Sequence, residues 1–395
     1  MGEGTSRRYW GLYVAIAGLA IAGLLASCGS RPSLDAGPML QDVRTNSARI
    51  VWWQKRAETG HVILRDTNGH VHNFPAQRDG SRFESIVDDL QPSTTYTYWV
   101  ECGMTRGGNL QVPGRFRTAP APGASFSFLV FGDSGSGEAS QYRLAEVMNR
   151  HSADFVLHTG DLVYRKGEPR DYAKKFFRPY KSILASMPFY PVLGNHDVRT
   201  ENGKPFLDTF SLPTNGPPAV QADRCYWFDY GDARFVAVDS TLSTQELAGA
   251  VAPWLQQVLQ SSPLQWKIVF FHHAPWAGGS RPPDAKIRDF LVPAIEAGGA
   301  NVVFCGHNHL YERSLPLRGG RVAPTNGVLY ITSAAGGKSL HAEKHGTEPH
   351  IAVFNDTKFS FTLVKIDGPR LELVQISEDD LILDTFIVRL GNSGQ

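Results

Sequence analysis

Two kinds of apolar spacing divide the chain. Between residues 38 and 118, hydrophobic and polar positions alternate in short runs, as in Ala48-Arg49-Ile50-Val51-Trp52-Trp53, His61-Val62-Ile63-Leu64 and Thr95-Tyr96-Thr97-Tyr98-Trp99-Val100. Turn-forming residues separate the runs at Asn68-Gly69, Asp79-Gly80 and Gln91-Pro92-Ser93. A period of two broken by such turns predicts short strands with one buried face, and a series of them predicts a small all-β sandwich. The proline-rich stretch Ala119-Pro120-Ala121-Pro122-Gly123 then predicts a linker over 119–124.

From Phe126 onward the apolar runs become short and continuous, which is the pattern of strands buried on both faces. Five stand out: Phe126 to Phe131, Asp154 to His158, Phe189 to Leu193, Trp266 to Phe271 and Asn301 to Cys305. Between them Tyr142 to Asn149, Asp171 to Leu184, Trp254 to Leu259 and Lys286 to Ala297 carry apolar residues at three- and four-residue intervals, as amphipathic helices do. Residues 125–395 are thus expected to form an α/β domain, with Val328 to Leu390 adding further strands that close it.

The first residues follow a different logic. Arg7 and Arg8 precede an apolar run from Trp10 to Ala26 and then Leu25-Ala26-Ser27-Cys28, the layout of a bacterial secretion signal. The small residues before Cys28 resemble the lipobox of bacterial lipoproteins, which implies cleavage after residue 27, a lipid on Cys28 and a linker over 28–37. The alternative is an uncleaved anchor, since the run is near bilayer-spanning length. Either reading predicts export, with the chain lipid-anchored in the cell envelope, in the periplasm or at the outer membrane. Three other cysteines, Cys102, Cys225 and Cys305, give no disulfide framework; Cys305 reads as a core thiol, and a Cys102–Cys225 bridge is left open.

Charge narrows the partners. The 39 basic and 38 acidic residues leave a formal net charge of +1 and are interspersed rather than blocked, so a nucleic-acid polymer is not expected. A small charged substrate fits better.

Each buried strand is followed by side chains able to bind metal: Gly132-Asp133-Ser134-Gly135, Gly160-Asp161-Leu162-Val163-Tyr164, Gly194-Asn195-His196-Asp197, His272-His273 and Gly306-His307-Asn308-His309. Taken singly these have ordinary structural readings, because Gly-Asp is a common turn and Asn-His-Asp can cap a helix. On an extended strand His273 would point away from His272. Taken together and in order they predict convergence at the carboxyl ends of the strands, where ligands bind in open α/β sheets.

The series resembles the metallophosphoesterase superfamily and, within it, the purple acid phosphatase family. Tyr164 stands at the tyrosinate position, Gly306-His307-Asn308-His309 runs on into Tyr311-Glu312-Arg313, and Leu90 to Tyr98 resembles a strand corner of fibronectin type III domains. The resemblance implies a fibronectin type III-like sandwich over 38–118, then an α-β-β-α sandwich catalytic domain. It further implies that Asp133, Tyr164 and His309 bind one metal, that Asn195, His272 and His307 bind the other, and that Asp161 bridges them. In the family the first metal is ferric iron and the second is iron, zinc or manganese. Hard phenolate and carboxylate donors suit iron, and an imidazole-rich site suits a divalent ion.

The implied reaction is hydrolysis of phosphate monoesters, in which a hydroxide generated at the metals attacks phosphorus in line. His196 is expected at the leaving oxygen, with Asp197 orienting it. The family's second catalytic histidine falls here on Arg281, which can clamp a phosphate oxygen but cannot donate a proton at ordinary pH. A phosphodiesterase or nucleotidase on the same metal centre is the runner-up. A non-catalytic surface protein with structural metals is a third reading, disfavoured because all seven ligand positions are filled.

Overall fold

The computed structural model describes residues 33–66, 68–105, 107–279, 281–341 and 348–390. The expected signal segment, the lipid site at Cys28 and the linker up to residue 32 lie outside the described residues. From Ser33 onward the chain forms one compact unit.

Its N-terminal part consists of two four-stranded antiparallel sheets. Ala36–Gln41, Ala48–Trp53, Arg82–Val87 and Gln77–Asp79 make one; Val71–Pro75, Ala57–Arg65, Thr95–Met104 and Asn109–Arg117 make the other. The first strand begins inside the stretch read as linker. Alternate residues of both sheets meet in a core of Ile50, Trp52, Val62, Leu64, Phe83, Tyr98, Val100 and Phe116. Trp52 and Phe83 stack at 5.6 Å, and the Trp52 indole N–H donates to the Cys102 sulfur at 3.2 Å.

The larger part is two sheets face to face. The first, six-stranded, has the order Phe189–Pro191, Phe155–His158, Phe126–Phe131, Ser360–Asp367, Arg370–Ser377, Ile382–Arg389. The second, seven-stranded, has the order Tyr226–Tyr230, Ala233–Ala237, Trp266–Phe270, Val302–Cys305, Leu329–Ser333, Tyr311–Ser314, Ile351–Asn355. Alternation along Phe126–Phe131 explains the layering. Phe128 meets Phe235 and Phe304 of the facing sheet at 5.2 and 6.2 Å, whereas Phe131 meets Tyr180 of the outer helical layer at 5.3 Å. On the far side of the second sheet, Val269, Phe271 and Val303 pack against Leu255 and Leu259 of the Ala252–Gln260 helix and against Leu291 and Ile295. The result is an α-β-β-α sandwich behind a β-rich N-terminal region.

The five strands read from the sequence all form, but three belong to the first sheet and two to the second. The third is shorter than expected and stops at Pro191, because only Val192 N–H still bonds across, to the His158 carbonyl, before the chain turns at Gly194. The apolar run 171–184 is not one helix. It divides into Pro169–Tyr172, Ala173–Phe177 and Lys181–Leu184, with Tyr180 between them buried against Phe131. The bridge left open between Cys102 and Cys225 does not form. Cys102 sits in the β-sandwich core, Cys225 in the core beneath the helices of the second sheet, and both are free thiols.

The strand carrying Tyr311 and Arg313 is tied to the last strand of the other sheet. Arg313 makes a bidentate pair with Asp384 at 2.7 and 3.2 Å, Tyr311 donates to the same carboxylate at 2.6 Å, and the guanidinium lies 4.0 Å over Phe386. Both charged side chains are under 10% exposed, at 7% and 8%. Removing one partner leaves the other charge buried and unpaired, so Arg313→Met is expected to lower unfolding free energy by about 3–5 kcal/mol. Urea unfolding of the metal-loaded protein measures this; a loss of about 0.5 kcal/mol would place the pair among water-screened surface bridges.

Candidate metal centre

Four of the converging side chains sit on residues whose backbone is left-handed: Asp133 (φ 56°), Asp161 (φ 56°), His307 (φ 75°) and His309 (φ 54°). That region costs non-glycine residues energy and persists only where surrounding contacts impose it. Here each strand ends in a sharp turn that throws the next side chain back over the sheet edge. The flanking glycines make room. A Cβ on Gly194 would collide with the Asp161 carboxylate, and one on Gly306 would lie 2.9 Å from both Asp133 Oδ2 and His272 Nδ1.

The ligand atoms gather in two overlapping groups. On one side Tyr164 Oη lies 3.1 Å from Asp133 Oδ1 and 2.9 Å from His309 Nε2, and His309 Nε2 lies 3.3 Å from Asp133 Oδ1. On the other, Asn195 Oδ1 lies 3.1 Å from His272 Nε2 and 3.0 Å from His307 Nδ1, with Asp161 Oδ2 3.5 Å from His272 Nε2. Ligand atoms of Asp133, Asp161 and His309 fall within 4.8 Å of one another, which places Asp161 against both groups. The structure therefore brings all seven expected ligands together.

Their outer hydrogen bonds prepare them for cations. His272 Nδ1 is 2.8 Å from the Thr159 carbonyl and His309 Nδ1 is 3.0 Å from the Ser339 carbonyl. Each ring thus donates through Nδ1 and presents a bare Nε2, the arrangement typical of metal-bound histidine. Burial holds His272 well below the ordinary imidazole range and lowers His307 and His309 to about 2, so all three rings are neutral ligands. The acids behave in the opposite sense. Burial and the neighbouring Asp161 raise Asp133 well above the usual carboxylate range, burial raises Asp161, and burial beside both carboxylates raises the Tyr164 phenol. Two buried carboxyls and a phenol in this proximity ionise only against compensating positive charge, so the donor set fits a pair of metal ions.

Three expectations change in detail. Asp197 does not orient His196. It is fully buried, and its carboxylate accepts from the backbone N–H groups of Leu162, Val163 and Gly194 at 3.0–3.2 Å. It is a positioning residue that locks together the loops bearing Tyr164 and Asn195. His196 instead bonds through Nδ1 to the Arg165 carbonyl at 2.6 Å, and its ring packs 4.5 Å from Tyr164. His273 does not point away from the site. The strand ends at Phe270, so alternation no longer applies, and its ring lies 4.7 Å from His307 in the second group. Arg281 does reach the centre: Nη1 donates to the His307 carbonyl at 3.0 Å and lies 3.1 Å from His307 Nε2.

Sequence reasoning missed the loop after Leu329–Ser333. Ser339 orients His309, the Lys338 N–H donates to the Asp133 carbonyl at 3.1 Å, and Lys338 Nζ lies 5.8 Å over the Tyr164 ring. Gly336-Gly337-Lys338-Ser339 directly after an apolar strand was a signal of the same form as the other five. His158 was read only as strand; it supports Ser134 Oγ at 2.9 Å beneath Asp133. Of Tyr311-Glu312-Arg313, Glu312 is buried and accepts from Gly278 N–H at 2.7 Å and Asn308 at 3.4 Å, holding the Arg281 loop to the His307–His309 turn.

Residues 126–311 match the family model described as calcineurin-like phosphoesterase. The chain is 27% identical over 292 residues to purple acid phosphatase 4 of Arabidopsis thaliana, covering 65% of this chain and 81% of that protein. It is 23% identical over 363 residues to the Fe(3+)-Zn(2+) purple acid phosphatase 12 of the same plant, covering 82% and 74%. The solved structure of purple acid phosphatase PPD1 from yellow lupin (Lupinus luteus) seeds superposes with a TM-score of 0.78 at 18% identity, covering 90% of this chain and 74% of that one.

A pH-dependent response to metal removal follows from the raised carboxyls. The unfolded chain releases their protons first, so without metal they destabilise the fold increasingly as pH rises above about 4, until they ionise in the folded state too. Bound cations offset that cost. The gap in melting temperature between metal-loaded and chelator-treated protein is expected to widen from pH 5 to pH 7.5. A gap that narrows would show that ionised Asp133 and Asp161 are not what the cations stabilise.

Proposed function

We propose, for a chain that carries a calcineurin-like phosphoesterase domain and is a metal-dependent phosphoester hydrolase, that it hydrolyses small phosphate monoesters on a binuclear centre of ferric iron and a divalent ion. The observation that carries this reading is the convergence of a phenol, two carboxylates, one amide and three imidazoles on two overlapping sites that share Asp161. Phenolate and carboxylate around Asp133 suit a trivalent ion, and the Asn195, His272 and His307 side suits a softer divalent one. When bound, the two ions supply positive charge for phosphoryl oxygens and lower the pKa of water to generate a nucleophile.

The chain's own residues define where the substrate lies. His196 Nε2 sits 4.0 Å from Asp161 Oδ2 and faces the opening of the centre, within reach of an oxygen departing from phosphorus. Its Nδ1 bond to Arg165 sets the ring plane, and the packed Tyr164 ring limits its rotation. Arg281 faces the centre from the His307 side and turns its remaining N–H groups toward a cavity of about 470 Å³ lined by Ala274, Pro282, Pro283 and Asp284. That guanidinium is placed to hold a non-bridging oxygen. The same cavity favours a second reading, a phosphodiesterase, because it offers room for a second ester substituent beside the centre.

Export with a lipid on Cys28 is part of the proposal and rests on the basic, apolar and small-residue order of residues 7–28. Mass spectrometry of the mature N-terminus should find a diacylglyceryl cysteine at position 28; an unmodified Met1 would exclude it.

The metal-loaded protein is expected to turn over an aryl phosphate monoester faster than its matching diester across pH, and faster diester turnover would favour the second reading. His196→Ala should lower kcat about 10²–10⁴-fold on alkyl phosphates and less on nitrophenyl phosphate, whose leaving group needs no proton. Equal losses on both would remove the proton-donor role and leave His196 as a phosphoryl contact only.

A further inference from the structure

Arg199 ends the short turn Asp197–Arg199 that follows the metal-ligand loop, and its guanidinium returns over the centre. Nη2 lies 3.4 Å from His196 Nε2 and Nη1 lies 3.4 Å from the Arg165 carbonyl. An arginine is always a donor, and His196 Nδ1 is already engaged with that carbonyl at 2.6 Å, so Nε2 faces Arg199 as an acceptor. Both bonds are long, and Arg199 forms no ion pair with a carboxylate among the described residues. Arg281 on the His307 side likewise meets an imidazole and a carbonyl without a carboxylate. Two guanidiniums therefore flank the ligand cluster from opposite sides, each held near an imidazole with its charge uncompensated.

Resting on the phosphoester-hydrolase reading above, we propose that Arg199 is a specificity residue that grips a second phosphoryl group directly attached to the leaving oxygen, so that the site favours phosphoanhydrides. The geometry carries this. His196 Nε2 marks where the leaving oxygen comes to rest, and Arg199 lies one hydrogen-bond length beyond it. A phosphoryl group one bond from that oxygen falls between the two; a phosphate farther along a sugar or alkyl chain does not. In the reaction, water adds to the terminal phosphorus and the bond from that phosphorus to the bridging oxygen breaks. Inorganic phosphate and the shortened phosphate ester result, with one proton released to solvent. The departing phosphate oxygen leaves as an anion, so it requires charge stabilisation rather than a proton. This accounts for arginines at both flanks: Arg199 occupies the imidazole face from which a proton would be delivered, and Arg281 stands where a second proton donor is expected by resemblance.

The test compares wild type, Arg199→Ala and Arg199→Lys, all metal-loaded, on a nucleoside diphosphate and on nitrophenyl phosphate. Arg199→Ala is expected to lower kcat/KM for the diphosphate about tenfold more than for the aryl ester, mainly through KM, with Arg199→Lys recovering part of that difference. Calorimetry gives a second readout: wild type should prefer pyrophosphate to inorganic phosphate, and Arg199→Ala should lose most of that preference. Equal losses on both substrates, or an unchanged preference for pyrophosphate, would overturn the assignment. Should wild type fail to hydrolyse the aryl ester, the monoester reading fails by itself, and the pyrophosphate-to-phosphate affinity ratio still decides the role of Arg199.

Discussion

The burial of Asp133 and Asp161 side by side is the constraint from which the rest of this structure follows. Neither carboxyl is accessible to water in any useful degree, each raises the cost of ionising the other or is penalised by burial, and Tyr164 adds a third acidic group to the same space. An interior arranged this way is stable at neutral pH only around positive charge. The left-handed backbone at four ligands, the glycines with no room for a Cβ and the amides trained on Asp197 all hold that geometry. The strain sits in the turns, while the two packed sheets behind them resist relaxation.

The N-terminal sandwich has a place in this arrangement although it supplies no ligand. Its contacts fall on the edge of the first sheet, beside the strand that leads to Asn195 and His196. The Val43 N–H donates to Tyr190 Oη at 3.1 Å, Tyr98 Oη donates to the Ala185 carbonyl at 3.0 Å, and Arg117 pairs with Asp154 at 3.1 Å. Tyr190 also stacks on Phe228 of the facing sheet at 3.9 Å. An edge strand of three residues has little pairing of its own, and the sandwich supplies the missing side. The second tie is at the opposite edge, where Tyr311 and Arg313 hold Asp384. Both devices keep the sheet ends in register, which is what brings five turns to one point.

The chemistry was more legible in the sequence than the architecture, for a physical reason. Metal ligands must be particular side chains, and turns that present them need glycine, so Gly132-Asp133, Gly160-Asp161, Gly194-Asn195 and Gly306-His307 declare themselves in one dimension. Buried strands declare themselves as apolar runs, but an apolar run carries no mark of which sheet it joins. That partition is decided by long-range pairing, as when Phe126–Phe131 takes Phe155–His158 on one side and Ser360–Asp367 on the other. Alternation also misleads beyond the end of a strand, which is why His273 lies inside the site. Asp197 misled in the opposite way, since a carboxylate beside a catalytic histidine suggests a dyad, whereas three amides had a stronger claim on it. Supporting groups such as Thr159 and Ser339 act largely through backbone carbonyls, which every residue has, and no residue type announces them.

The charge pattern around the centre separates binding from proton transfer. The ligand imidazoles are held neutral by burial, so they add donor strength to the centre without competing with the cations it requires. Beyond them the charges are fixed: Arg281, Arg199 and Lys338 surround the opening, and guanidinium groups stay protonated at any pH at which the fold survives. An anion approaching the centre therefore meets positive charge before it meets a group able to donate a proton. Selectivity in such a site comes from how many anionic oxygens a substrate can place among fixed donors, since each charge-assisted bond is worth more than a neutral one. Discrimination by leaving-group basicity would instead demand a poised acid, and His196, with one nitrogen on a backbone carbonyl and the other facing a guanidinium, is held as a positioned acceptor in this conformation.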